Sequence, residues 1–253
     1  MALEIDLSGR RAIVTGGGGA LGGVIARALS DAGAEIVIVD VAGERATEAA
    51  EAIRSRGGSA HPLAVDLTDA DAVSAAFARA ADELGPVDML VNGAGGGAVS
   101  PFATTSAELW RSQMARNLDT VFSATRAVLP SMLERRSGRI ISIASIAAVA
   151  GGRLVRNATA YATAKAGVIG LTKALAIEVA EQGVTVNALA PGAQATPGRD
   201  RDTAAGREAL LAQIPTRRLG EPAHLAAVIA FLASDAAANI TGVVLPVDGG
   251  HSI

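Results

Sequence analysis

Arg11-Ala12-Ile13-Val14-Thr15-Gly16-Gly17-Gly18-Gly19-Ala20-Leu21-Gly22 is the stretch that decides the fold. A short run, Arg11–Thr15, with three β-branched residues at its end leads into four glycines, and a helical pattern, 21–32, begins at once. A strand that turns into a helix through glycines is the opening of a βαβ unit. The turn brings bare backbone and the unsatisfied N–H groups of a helix N-terminus to one point, which suits a pyrophosphate. A tight structural bend is the lesser alternative for the glycine run on its own.

The rhythm continues outward from there. Further strands are expected at Glu35–Asp40, 60–66, Met89–Asn92, 139–145, 184–190 and 243–247, with amphipathic, alanine-rich helical segments between them. Alternating strands and helices predict α/β architecture: a single doubly wound, Rossmann-type domain over 1–253, its seven-stranded parallel sheet flanked by helices on both faces. No linker, charge block or repeat divides the chain. The segment 191–215 breaks the rhythm with three prolines, mixed charge and weak periodicity, and a substrate flap is expected around 192–215.

Composition narrows the functional classes. Formal net charge is −3 with both signs interspersed, which leaves no basic footprint for nucleic acid or an anionic membrane. The absence of cysteine removes disulfides, thiolate metal sites and cysteine nucleophiles, and the three histidines are scattered, so no metal site is expected. Residues 1–6 lack the basic and apolar regions of a secretory signal, and the apolar stretch 140–152 is too short to span a bilayer. A soluble, cytoplasmic protein is the expectation.

In an open parallel sheet the residues just past each strand build the ligand crevice. Around the first turn these are Gly16, Gly19, Ala20, Leu21 and Gly22. The second strand ends at Asp40, at the distance downstream where a carboxylate reaches the ribose hydroxyls of a bound dinucleotide. The same charge repels a 2′-phosphate, so NAD is expected in preference to NADP, although Arg45 one turn on keeps NADP open. Asp66 and Leu67, then Asn92, Gly93 and Ala94, follow the third and fourth strands. For Asp66 and Asn92 a pocket-lining role competes with a simple Asx turn.

Tyr161 and Lys165 stand four apart early in the helical segment 158–182, and so share a face. A phenol is a poor base at neutral pH, and a neighbouring ammonium lowers its pKa. Tyr161 is also the chain's single tyrosine. Ser142 and Ser145 close the fifth strand, and Ser145, nearer its carboxyl end, can hydrogen-bond a carbonyl oxygen in the same crevice or cap the helix that follows.

Taken together and in order, Thr15-Gly16-x-x-x-Ala20-x-Gly22, Asn92-Gly93-Ala94-Gly95, Asn117, Ser145, Tyr161-x-x-x-Lys165, Asn187-Ala188-x-Ala190-Pro191-Gly192 and Asp248-Gly249-Gly250 resemble the short-chain dehydrogenase/reductase family over nearly the whole chain. The resemblance implies that Tyr161 is the general acid/base and that Lys165 lowers its pKa and holds the nicotinamide ribose. It implies that Ser145 orients the substrate oxygen, Asn117 organises a relay water, and Pro191, Gly192 and Thr196 lie beside the nicotinamide. The implied reaction is hydride transfer between NAD(H) and a small-molecule secondary alcohol or ketone. An NADPH-dependent 3-oxoacyl thioester reductase is the alternative, and a dinucleotide-binding regulatory or scaffold protein a more distant one.

Three features depart from the family's pattern. Ala20 replaces a glycine, Gly93 replaces an asparagine, and sixteen positions rather than about thirteen separate Ser145 from Tyr161, enlarging a loop that carries Arg153 and Arg156. Those arginines suit an anionic substrate or, more simply, solvent or a subunit contact. The helical segments 106–135 and 158–182 resemble the family's subunit interface, and a homotetramer is expected.

Overall fold

The structure, a computed structural model, describes residues 5–151, 155–198 and 203–253. Arg153 and part of the 192–215 segment lie outside the described residues.

Seven strands form one parallel sheet: β1 (Arg11–Thr15), β2 (Glu35–Asp40), β3 (Ala60–Ala64), β4 (Met89–Asn92), β5 (Gly138–Ile143), β6 (Val184–Pro191) and β7 (Val244–Val247). Their order is β3-β2-β1-β4-β5-β6-β7, and all six pairings are parallel. The direction of winding therefore reverses between β1 and β4, which opens a crevice at their carboxyl ends.

The pleat explains why near-continuous apolar strands fold this way. Ala12, Val14, Ile36 and Ile38 face one core cluster, while the intervening Ile13, Val37 and Val39 face the other. The first cluster is closed by α1 (Ala20–Asp31), α2 (Gly43–Arg54) and α9 (Pro222–Ala233) through residues such as Ile25, Ile53 and Ile229. The second is closed by α3 (Ala70–Leu84), α5 (Thr120–Glu134) and α7 (Thr159–Val179), with Phe77, Met132 and Val179 inside. The result is three layers, helix on sheet on helix.

The expected segment 106–135 is a continuous helical run in three parts: α4 (Ala107–Met114), a π-helical turn (Ala115–Asp119) and α5. Ser106 caps it, its Oγ accepting from Leu109 N–H at 3.1 Å. Two short elements correct the sequence reading. The stretch after β5 folds into α6 (Ile146–Ala150), and the irregular 191–215 segment contains α8 (Ala204–Gln213), capped by Thr203 through Gly206 N–H at 3.1 Å. None of the residues of α8 is buried, so it lacks the one-sided apolar stripe that would have announced it.

Candidate active site at the crevice

The glycine turn is built by close backbone approach. A Cβ on Gly22 would lie 2.1 Å from the carbonyl oxygen of Gly16, and one on Gly16, itself at φ +66°, would lie 2.9 Å from Ala94 Cα. The turn thus meets the end of β4 at the switch point. Gly19 is the N-cap of α1 and offers no side chain to the helix's free N–H groups. Ala20 is the first helical residue with no positive φ, so the substitution for glycine costs the backbone nothing.

At the tip of β2, Asp40 is buried, and its Oδ1 accepts from Ala42 N–H at 3.0 Å and from Arg45 Nη2 at 2.9 Å. Arg45 is half-exposed and packs against Gly18, where a Cβ would come within 2.7 Å of Arg45 Cβ. Sequence reading missed this ion pair, although the five-residue spacing hinted at it. Asp66, exposed two residues past β3, accepts from Thr68 N–H and Oγ1 at 2.9 and 2.7 Å, the local turn weighed as its alternative. These bonds hold its carboxyl below the usual range. The Leu67 side chain lies in the second core cluster.

Asn92 is turned into the protein. Its Nδ2 donates to Thr125 Oγ1 and Ser142 Oγ, both at 3.2 Å, tying β4 to α5 and β5, and its Oδ1 is buried without a partner. The peptide N–H groups of Gly93 and Ala94 donate to Thr15 Oγ1 at 3.1 and 3.2 Å. A Cβ on Gly93 would sit 2.8 Å from the Thr15 carbonyl oxygen, which gives the departure from asparagine a local reason. On the far side, Pro191 ends β6, Gly192 packs against Asp248, and Thr196 N–H donates to the Gln194 carbonyl at 3.0 Å.

Three of the candidate catalytic side chains, Asn117, Lys165 and Tyr161, converge on the strip Gly95-Gly96-Gly97, and Ser145 joins them through Tyr161. The open side of Gly95 faces Asn117 Oδ1 and Lys165 Nζ, at 2.6 and 3.4 Å from where a Cβ would stand. Gly97 lies on the Tyr161 ring, whose Cγ is 3.3 Å from where a Cβ on Gly97 would stand. Asn117, fully buried in the π-helical turn, accepts from Gly96 N–H at 3.0 Å and donates to the Gly96 carbonyl at 3.1 Å. A π-helical turn of this kind is common at functional sites because it rotates one side chain out of the α-helical register.

Ser145 takes the capping role weighed for it and stands beside Tyr161. Its Oγ caps α6 by accepting from Ala147 N–H at 3.1 Å, and its hydroxyl hydrogen-bonds Tyr161. Burial pushes the Tyr161 phenol above its ordinary value, and the Ser145 bond pulls it back. Lys165 Nζ donates to the Ile143 carbonyl at 2.7 Å, and burial lowers its pKa to about 8. Arg156 is exposed and in no ion pair among the described residues. No group of three or more His, Cys, Asp or Glu placed to hold a metal occurs among the described residues, and no described helix is long and apolar enough to cross a membrane.

Residues 18–252 match the family model described as enoyl-(acyl carrier protein) reductase. The chain belongs to the short-chain dehydrogenase/reductase family. This family binds a nicotinamide cofactor, and its members are oxidoreductases. Among relatives, a 3-oxoacyl-[acyl-carrier-protein] reductase of Vibrio cholerae is 40% identical over 97% of this chain and 98% of its own length. The cis-4-hydroxycyclohexanecarboxylate dehydrogenase of Sinomonas cyclohexanicum is 39% identical over 96% of both. Among solved structures, a gluconate 5-dehydrogenase from Burkholderia cenocepacia in complex with NADP and tartrate superposes with a TM-score of 0.92 at 35% identity, covering 98% of this chain and 97% of the other.

Proposed function

We propose that the chain is an NAD(H)-dependent oxidoreductase that interconverts a secondary alcohol and a ketone. The observation that carries this reading is the convergence of Tyr161, Lys165 and Asn117 on one glycine strip beside the β1/β4 crevice, with Ser145 hydrogen-bonded to Tyr161.

The residues fit a dinucleotide. The Gly16–Gly22 turn is a cradle that side chains would fill, and the uncapped N-terminus of α1 is free to meet a pyrophosphate. Gly16, Gly19, Ala20, Leu21 and Gly22 would hold that group, Asp40 the adenosine ribose, Lys165 the nicotinamide ribose, and Pro191, Gly192 and Thr196 the nicotinamide end. When bound, the cofactor supplies or removes the hydride. In the proposed mechanism this chain's residues handle the proton and the oxygen. The Ser145 hydroxyl and the Tyr161 phenol donate hydrogen bonds to the substrate oxygen, holding the carbonyl carbon in line and stabilising charge as it grows on oxygen. Tyr161 gives its proton to that oxygen in reduction and recovers it in oxidation. The role that the resemblance implies for Lys165 is to stabilise the phenolate form; in the cofactor-free chain burial keeps the phenol raised, and only the Ser145 bond lowers it.

Asp40 supports NAD, because a 2′-phosphate at the tip of β2 would meet its carboxylate. A specific observation favours a second reading. Arg45 holds Asp40 from the exposed side at 2.9 Å and is a ready cation for that phosphate, and the relatives include an acyl-carrier-protein reductase and a structure bound to NADP. The second reading is an NADPH-dependent 3-oxoacyl thioester reductase. The test is turnover with NAD(H) against NADP(H) over cyclic and acyclic secondary alcohols, hydroxy acids and a 3-oxoacyl thioester, with Tyr161→Phe as control. NAD-linked turnover abolished in the variant supports the first reading. A tenfold preference for NADP, about 1.4 kcal/mol, overturns it.

A further inference from the structure

Gln113 is the one fully buried residue of α4, and it is polar. A buried amide is costly unless its hydrogen bonds are answered. Here Oε1 accepts from Ala98 N–H at 3.4 Å and from Asn117 Nδ2 at 3.5 Å. Asn117 Nδ2 donates in turn to the Gln113 main-chain carbonyl and to the Gly96 carbonyl, both at 3.1 Å. The two amides, four residues apart, thus form a ladder that grips the backbone at residues 96 and 98. Between those grips is Gly97, against the Tyr161 ring.

The strip needs such a grip. Three successive glycines carry no side chain to pack and leave the backbone the widest choice of conformations. Its outer end is tied by a separate bond, Ser100 N–H to the Asn157 carbonyl at 2.7 Å. We propose that Gln113 is a positioning residue for the reaction: through Ala98 it presses the glycine strip onto the Tyr161 ring and so sets where the phenol meets the substrate oxygen. It acts through the strip and touches no reacting atom. The proposal rests on Tyr161 being the acid/base, so its test needs a readout that does not require turnover.

The sequence provides one, because Tyr161 is the only tyrosine and 3-fluorotyrosine incorporation gives a single 19F resonance. Gln113→Met keeps the length and volume of the side chain and removes both bonds; Gln113→Leu is a second apolar variant should Met fail to fold; Gln113→Glu keeps an oxygen acceptor for Ala98. The apolar variants are expected to shift or broaden the resonance and to lower kcat by about tenfold or more. Cofactor Kd is expected to stay within about twofold, and Gln113→Glu to return towards wild type in both readouts. Gly97→Ala, which forces a Cβ onto the ring, should disturb the resonance and kcat strongly in the wild-type background and weakly once Gln113 is replaced by an apolar residue, a non-additivity expected of residues acting through one contact. A resonance unmoved in the apolar variants, or additive effects of Gly97→Ala and Gln113→Met, would overturn the proposal. Absence of turnover with every substrate would defeat the functional reading, while the 19F comparison would still decide the role of Gln113.

Discussion

Lys165 allows a prediction in which sign and size both come from the structure. Its ammonium is buried against the Ile143 carbonyl with no carboxylate among its hydrogen-bond partners, and its pKa falls from 10.5 to about 8. At about 1.4 kcal/mol per unit, the charged amine costs the folded chain on the order of 3 kcal/mol. Below pH 8 both folded and unfolded chains carry the proton, and the penalty is fully present. Between about 8 and 10.5 the unfolded chain binds more protons than the folded one, so stability rises with pH across that window. Lys165→Met has no such group, and subtracting its profile cancels the other titrating residues. Urea unfolding of the cofactor-free proteins, at one fixed protein concentration and followed by Trp110 fluorescence, should show the wild type gaining about 2 kcal/mol on the variant between pH 7 and 9.5. A difference that stays flat, or that moves in favour of the variant, would refute the argument that the amine is held in a poorly solvated site.

The raised phenol of Tyr161 sets the direction of the pH–rate profiles: ketone reduction, which needs the protonated form, should run on a plateau through neutral pH, while alcohol oxidation should climb as pH rises, each read from steady-state kcat/KM. Tyr161→Phe should retain cofactor binding by fluorescence titration and lose about a hundredfold or more in kcat. Gly22→Ala drives a Cβ into the Gly16 carbonyl, and should weaken cofactor Kd at least about tenfold and lower Tm; an unchanged Kd would mean that the turn does not hold the pyrophosphate. Phe122 on α5 and Ile177 on α7 are exposed, and the homotetramer expected from the family resemblance would cover them; light scattering at the mass of a monomer would exclude it.

Much of the fold was legible because two periods coexist in the sequence. Strands such as Glu35–Asp40 are apolar on both faces, as a sheet covered on both sides demands, and the glycines fall at the strand ends. Tyr161 and Lys165 were legible from spacing along one helix. Contacts made across the fold were not. The Lys165 amine is spent on a main-chain carbonyl of β5, and the Gln113 amide on a main-chain N–H fifteen residues away; both partners are backbone groups, which every residue carries, so residue identity does not announce them. Asn92 has the sequence look of a crevice residue, yet its side chain braces the sheet from inside, because two hydroxyls on neighbouring elements reach it first.

The anchors on either side of the enlarged loop have a consequence for how such a protein diversifies. On the strand side, Ser145 fixes the start of α6 by capping it; on the other, the Asn157 carbonyl is fastened to Ser100 just before α7 begins. What lies between is framed like a cassette. The expectation is that changes confined between these two anchors alter the substrate repertoire, provided both bonds are kept, while Tyr161 stays in place. Grafting the shorter loop of a relative between residues 150 and 156 should retune selectivity among ketones and leave the Tyr161 19F resonance where it is.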